Sequence, residues 1–138
     1  MATSDIYRKQ HDDLLALATT IAGNLNKETI TGKTDAVLGL LSELAAKLNT
    51  HLTMEDKALY PKLLNSGNPK AKETADAFIK EMGGIKQVFE AFVNKWSNPN
   101  NLKNDAEGFI KETTGLFGAL KARIDKENGQ LYPLLDSI

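Results

Sequence analysis

What most constrains the fold of this chain is the spacing of its apolar residues, which recur at alternating steps of three and four, the period of one helix face. One stripe runs Tyr7, His11, Leu14, Ala18, Ile21, Leu25, and a second Val37, Leu41, Leu44, Leu48, His51, Glu55, Leu59. A third runs Ala71, Ala75, Phe78, Met82, Ile85, Phe89, Phe92, Trp96, and a fourth Phe109, Thr113, Leu116, Leu120, Arg123, Glu127, Leu131, Leu134. Between them, residues 26–33, 65–69 and 97–104 are rich in Asn, Gly and Pro and read as loops. Amphipathic helices joined by short loops predict an all-α, up-down-up-down antiparallel four-helix bundle. Residues 1–138 are expected to form it as a single domain, a length that buries a core without staples.

Local signals refine that picture. Ser4 and Thr34, each followed by Asp, are expected to cap their helices. Pro61 and Pro133 fall inside helical patterns and should kink or end them. Gly108, Gly115, Gly118 and Gly129 lie in the fourth helix, where each costs about 1 kcal/mol against alanine. That helix is expected to be the least rigid, or to pack unusually close to a neighbour.

Five residues break the stripes where an apolar side chain belongs: His11, His51, Glu55, Arg123 and Glu127. Such groups are rarely buried unless paired or metal-bound. In an up-down bundle the second and fourth helices run parallel, so His51–Glu55 and Arg123–Glu127 should lie level. Inward-facing His and carboxylates on facing helices are how bundles build metal sites.

Composition removes several alternatives. Cysteine is absent, which excludes disulfides, thiolate ligands and cysteine nucleophiles. Lys+Arg is 17 against 18 Asp+Glu, without a basic stripe, so nucleic acid is not an expected partner. No apolar run approaches the roughly 20 residues of a membrane span. The N-terminal residues lack a basic-then-apolar leader, so the expectation is a cytoplasmic protein. Oligomeric state leaves no mark in the pattern.

The chain also repeats itself. The segment from His51 to Pro61 aligns without gaps to that from Arg123 to Pro133, with Glu, Leu, Tyr and Pro at identical offsets. The preceding helices align best with His11, Leu14 and Ile21 over Met82, Ile85 and Phe92. Two helical hairpins related by duplication are expected, the first supplying His and His-x-x-x-Glu, the second Met and Arg-x-x-x-Glu.

His11, the His51–Glu55 pair, Glu127 and the two Leu-Tyr-Pro sequences together resemble the hemerythrin-like (HHE cation-binding) family over essentially the whole chain. The resemblance implies two irons, one held by first-hairpin histidines, the other by second-hairpin histidines, with two carboxylates bridging. Carried over, His11 and His51 match the terminal ligands of one iron, and Glu55 and Glu127 match the bridges. The second-hairpin histidine positions hold Met82 and Arg123, and the chain has only 2 histidines, so a full di-iron centre and the usual oxygen carriage are not expected. Two His and two carboxylates suit one divalent ion, iron first, with open positions. Arg123 is expected to stand in for the second metal by pairing with Glu55 and Glu127. Charge counting allows a metal-free state as well. Met82 is read as core filler; Tyr60 and Tyr132 read as packing residues or as neighbours of the site. Asp12 and Asp13 read as solvated residues or as partners orienting His11. Gly83 and Gly84 suggest close helix approach, or a void where the second metal would sit.

Three functions follow. The leading one is a small metal-binding or sensing protein responding to oxygen, nitric oxide or metal supply. The second is a metal-free regulatory or interaction module whose Arg–Glu network replaces the centre. An enzyme with a mononuclear oxygen- or peroxide-activating site ranks last, since no acid–base dyad or nucleophile is visible outside the ligand set.

Overall fold

The computed structural model describes residues 3–138, apart from the side chain of Met82. All regular structure among the described residues is helical. In chain order the elements are α1 (Asp5–Ala22), α2 (Lys27–Gly32), α3 (Thr34–Met54), α4 (Tyr60–Leu64), α5 (Pro69–Met82), α6 (Ile85–Trp96), α7 (Pro99–Asn104), α8 (Ala106–Lys126) and α9 (Tyr132–Ser137). The helix α1 packs along α3 and α8, and α3 also packs along α6.

The two prolines neither end their helices nor leave them regular. From α3 into α4, residues Glu55–Leu59 form a π-helical turn in which the Tyr60 N–H reaches back to the Glu55 carbonyl. From α8 into α9, residues Glu127–Leu131 do the same, with the Tyr132 N–H on the Glu127 carbonyl. The reason is local. Proline has no N–H for the carbonyl four residues back, and its ring collides with that carbonyl in a regular helix. One extra residue in the turn relieves the clash and lets the helix continue. It also shifts the buried face. After Leu59 that face passes to Tyr60 and Leu63, and after Leu131 to Tyr132 and Leu135. Leu134, which the stripe would bury, is only half-buried.

Two expected loops are partly helical. Asn26 accepts from the Thr29 N–H and opens α2; Asn98 accepts from the Asn100 N–H and opens α7. Each short helix buries one side chain completely, Ile30 and Leu102. Ser4 and Thr34 do not cap through their side chains. The Ser4 hydroxyl donates to Asp136 at 2.7 Å, joining the start of α1 to α9, and the Thr34 hydroxyl donates back to the Ile30 carbonyl. The third stripe is interrupted between α5 and α6. At Gly83 a Cβ would lie 2.6 Å from the Ile79 carbonyl oxygen, so a larger residue does not fit there. Close packing does not explain the α8 glycines: a Cβ at Gly115 or Gly118 would meet nothing within 4 Å, and one at Gly108 would collide with the capping Asp105 carboxylate.

Buried apolar residues form two clusters. One runs from Leu14, Leu48 and Leu52 through Phe89, Trp96 and Phe109 to Leu120 and Ile124. The other gathers Tyr7, Leu59, Tyr60, Ala75, Phe78, Leu131 and Tyr132. On α1, His11 falls between the two; on α3 it is His51 and Glu55, and on α8 Arg123 and Glu127. The stripe-breaking residues therefore form a polar layer that divides the core. No helix among the described residues is long and apolar enough to cross a membrane.

Candidate metal centre

All five stripe-breaking residues are buried, from 0 % exposure at Glu55 to 7 % at Arg123. His11, His51, Glu55 and Glu127 each offer one donor atom, and these four atoms lie within 4.8 Å of one another. The i,i+4 spacing of His51 and Glu55 puts both on one helix face, with His51 Nε2 3.3 Å from Glu55 Oε1. His11 reaches across from α1, and its Nε2 lies 3.0 Å from both His51 Nε2 and Glu127 Oε1.

The outer nitrogens of the histidines are fixed. His11 Nδ1 sits 2.9 Å from Asn128 Oδ1, and His51 Nδ1 sits 2.7 Å from Gln10 Oε1. An amide oxygen only accepts, so each Nδ1 carries a hydrogen, and Nε2 is the ring nitrogen that each histidine turns to the interior. With Nε2 deprotonated this is the tautomer a metal ligand needs, and the anchoring of Nδ1 is the kind that such ligands use. Glu127 Oε2 is buried with no hydrogen-bond partner among the described residues. This donor set fits a divalent ion: imidazole and carboxylate suit iron and neighbouring metals, and one carboxylate oxygen has no hydrogen bond among the described residues.

Tyr132 belongs to the same group. Its hydroxyl donates to Glu55 Oε2 at 3.0 Å and lies 3.0 Å from His11 Nε2. Tyr60 stands on the other side, with its hydroxyl 3.5 Å from Arg123 Nη2. Arg123 approaches both carboxylates, with Nη2 3.4 Å from Glu55 Oε1 and Nε 3.7 Å from Glu127 Oε2. These are long for charge-assisted pairs. Among the described residues, this side offers no ligand set for a second ion. Arg123 has no lone pair to give, and Phe78 is a hydrocarbon. Met82 closes α5, and its side chain lies outside the described residues. Asp12 and Asp13 are exposed, so the orienting role offered to them falls to Gln10 and Asn128.

Electrostatics separates the two carboxylates. Burial raises Glu55 to about 7, against the opposing pull of His51. Burial also acts to raise Glu127, but hydrogen bonds from His11 and His51 hold it well below the usual carboxylate range. For His51, burial disfavours the cation, yet hydrogen bonds to Glu127 and Glu55 prevail and raise it to about 9. Burial, reinforced by Glu55 and Glu127, pushes both Tyr60 and Tyr132 up, so each remains a neutral phenol. Without a metal, the charge of His51 and Arg123 balances the carboxylates; a metal must displace the His51 proton.

Gln10 and Asn128 went unnoticed in the sequence because neither sits on a stripe. Each is the chain neighbour of a donor residue and holds a histidine on another helix, a relation that no spacing rule reveals.

A family model described as the hemerythrin HHE cation binding domain matches residues 2–135. No curated protein and no solved structure matches the chain significantly. With the match spanning nearly its whole length and the buried His–Glu cluster at its centre, the chain belongs to the hemerythrin HHE cation-binding domain family.

Proposed function

We propose that this protein binds one divalent metal ion, iron first, through His11, His51, Glu55 and Glu127, and acts as a metal-dependent sensor. The bundle is read as two repeated hairpins in up-down order, the second having exchanged its histidines for Met82 and Arg123. The observation that carries the reading is the arrangement of the histidines. Both Nε2 atoms converge within 3.0 Å while both Nδ1 atoms are held by amide oxygens.

A metal bound there supplies an open position for a small ligand such as oxygen or nitric oxide. The chain's own residues do the rest. Gln10 and Asn128 keep the imidazoles in the binding tautomer. Tyr132 steadies Glu55 with its hydroxyl. Arg123 supplies the fixed positive charge where the family's second ion would sit, and the two apolar clusters exclude water from either side.

Melting curves test this. Iron or zinc is expected to raise the melting temperature, and a chelator to reverse the rise, because a ligand of the folded state stabilises it by mass action. A second reading, a metal-free regulatory bundle, rests on the long Arg123 pairs to Glu55 and Glu127. A melting temperature indifferent to both metal and chelator would favour that reading and contradict the first.

A further inference from the structure

A cavity of about 50 Å³ lies beside the four-donor cluster. Its inner wall carries Arg123, Tyr60 and Phe78, all buried, and its mouth lies at Asp56, Gly83 and Lys86. One water-sized group occupies about 10–15 Å³ on this measure, so there is room for about three or four non-hydrogen atoms. Leu52, Ile79 and Ile85 make the side walls apolar, while Arg123 and Tyr60 are the polar residues of its buried lining.

Charge says what belongs there. Glu55 and Glu127 contribute two negative charges to the polar layer and Arg123 one positive. A divalent ion in the His–Glu cluster adds two, leaving one positive charge in a water-poor core. A buried charge is stable only when paired. The mouth does not select by sign, since Asp56 and Lys86 oppose each other. Selection falls to the small volume and to Arg123. The forked geometry of a guanidinium matches two oxygens of one group, and Arg123 lines this cavity.

We propose that this cavity takes up one small monovalent oxyanion, of the size of formate, nitrite or bicarbonate, against Arg123 and the Tyr60 hydroxyl when the neighbouring metal site is filled. The inference rests on the metal-binding reading, because the metal supplies the charge that the anion neutralises. The cavity then makes metal occupancy and anion level jointly necessary for the neutral state of the core.

Zinc-loaded and metal-free protein, titrated with sodium formate by calorimetry, provide the test, with the Arg123 Nε–H signal followed by nitrogen-15 NMR. Zinc content is measured first. The zinc-loaded protein is expected to bind one formate per chain, at least tenfold more tightly than the metal-free protein, and the Arg123 signal to shift. Tyr60→Phe is expected to weaken formate about tenfold. Ile79→Phe, which narrows the cavity from its half-open wall, is expected to abolish formate binding with zinc content unchanged. Formate binding that survives both substitutions, or that leaves the Arg123 signal unmoved, places the anion elsewhere and overturns the proposal. Zinc uptake without formate binding overturns this inference alone; failure to take up zinc overturns the metal reading along with it.

Discussion

His11 and His51 reach the centre with their donor atoms selected by Asn128 and Gln10. Partners of this kind typically contribute 10–100-fold to metal affinity. Gln10→Ala and Asn128→Ala are each expected to weaken metal binding by about that factor in chelator competition, with helicity unchanged. An affinity unaltered in both variants would make the amides incidental. Arg123 is a different case, because its loss strands two buried carboxylates. In metal-free protein Arg123→Ala should lower stability by about 3 kcal/mol in urea unfolding. A change under about 0.5 kcal/mol would mean that protonation of Glu55 takes over its part. At this scale the sequence was informative wherever a polar residue interrupts an apolar stripe, which singles out His11, His51, Glu55, Arg123 and Glu127. It was silent on Gln10 and Asn128, which stand one position off the stripe and act across to another helix.

Among the elements, the paired π turns do the most to shape the site. Each begins at a carboxylate, Glu55 or Glu127, and ends by turning inward a tyrosine that a regular helix would place elsewhere. Proline chemistry announced an irregularity at Pro61 and Pro133 but not its kind, because a missing N–H can be met by a kink, a stop or a widened turn. The short helices α2 and α7 were equally hidden. Six residues are too few to show a period, and their Asn caps look the same as loop asparagines. The glycines of α8 allow a direct test. With nothing within 4 Å of a Cβ at Gly115 or Gly118, alanine gains helix propensity without a clash. Each substitution is expected to stabilise by about 1 kcal/mol, or to raise the melting temperature by about 4 °C. A loss of stability instead would mean that this face of α8 is covered in solution.

On the scale of the whole molecule, the fold holds a polar layer between two apolar clusters, and pH reads the state of that layer. His51 has its pKa raised from 6.5 to about 9, so in metal-free protein its stabilising effect is complete below 6.5 and is lost as pH rises through about 9. Glu55, raised from 4.5 to about 7, acts in the same direction over its own range. Glu127, held low, acts oppositely and is lost only on acidification. Metal-free protein is therefore expected to become less stable between pH 6.5 and 9. Metal affinity should run the other way, rising towards pH 9 as the His51 proton ceases to compete. Chelator competition at several pH values checks the second trend and urea unfolding the first. The most direct measurement is the iron content of protein loaded with ferrous ion without oxygen and then desalted. Close to one iron per chain in the native protein, and almost none in a folded His51→Ala variant, is the predicted result. No iron in the native protein, or equal amounts in both, would contradict the account, and two irons per chain would contradict the place given to Arg123.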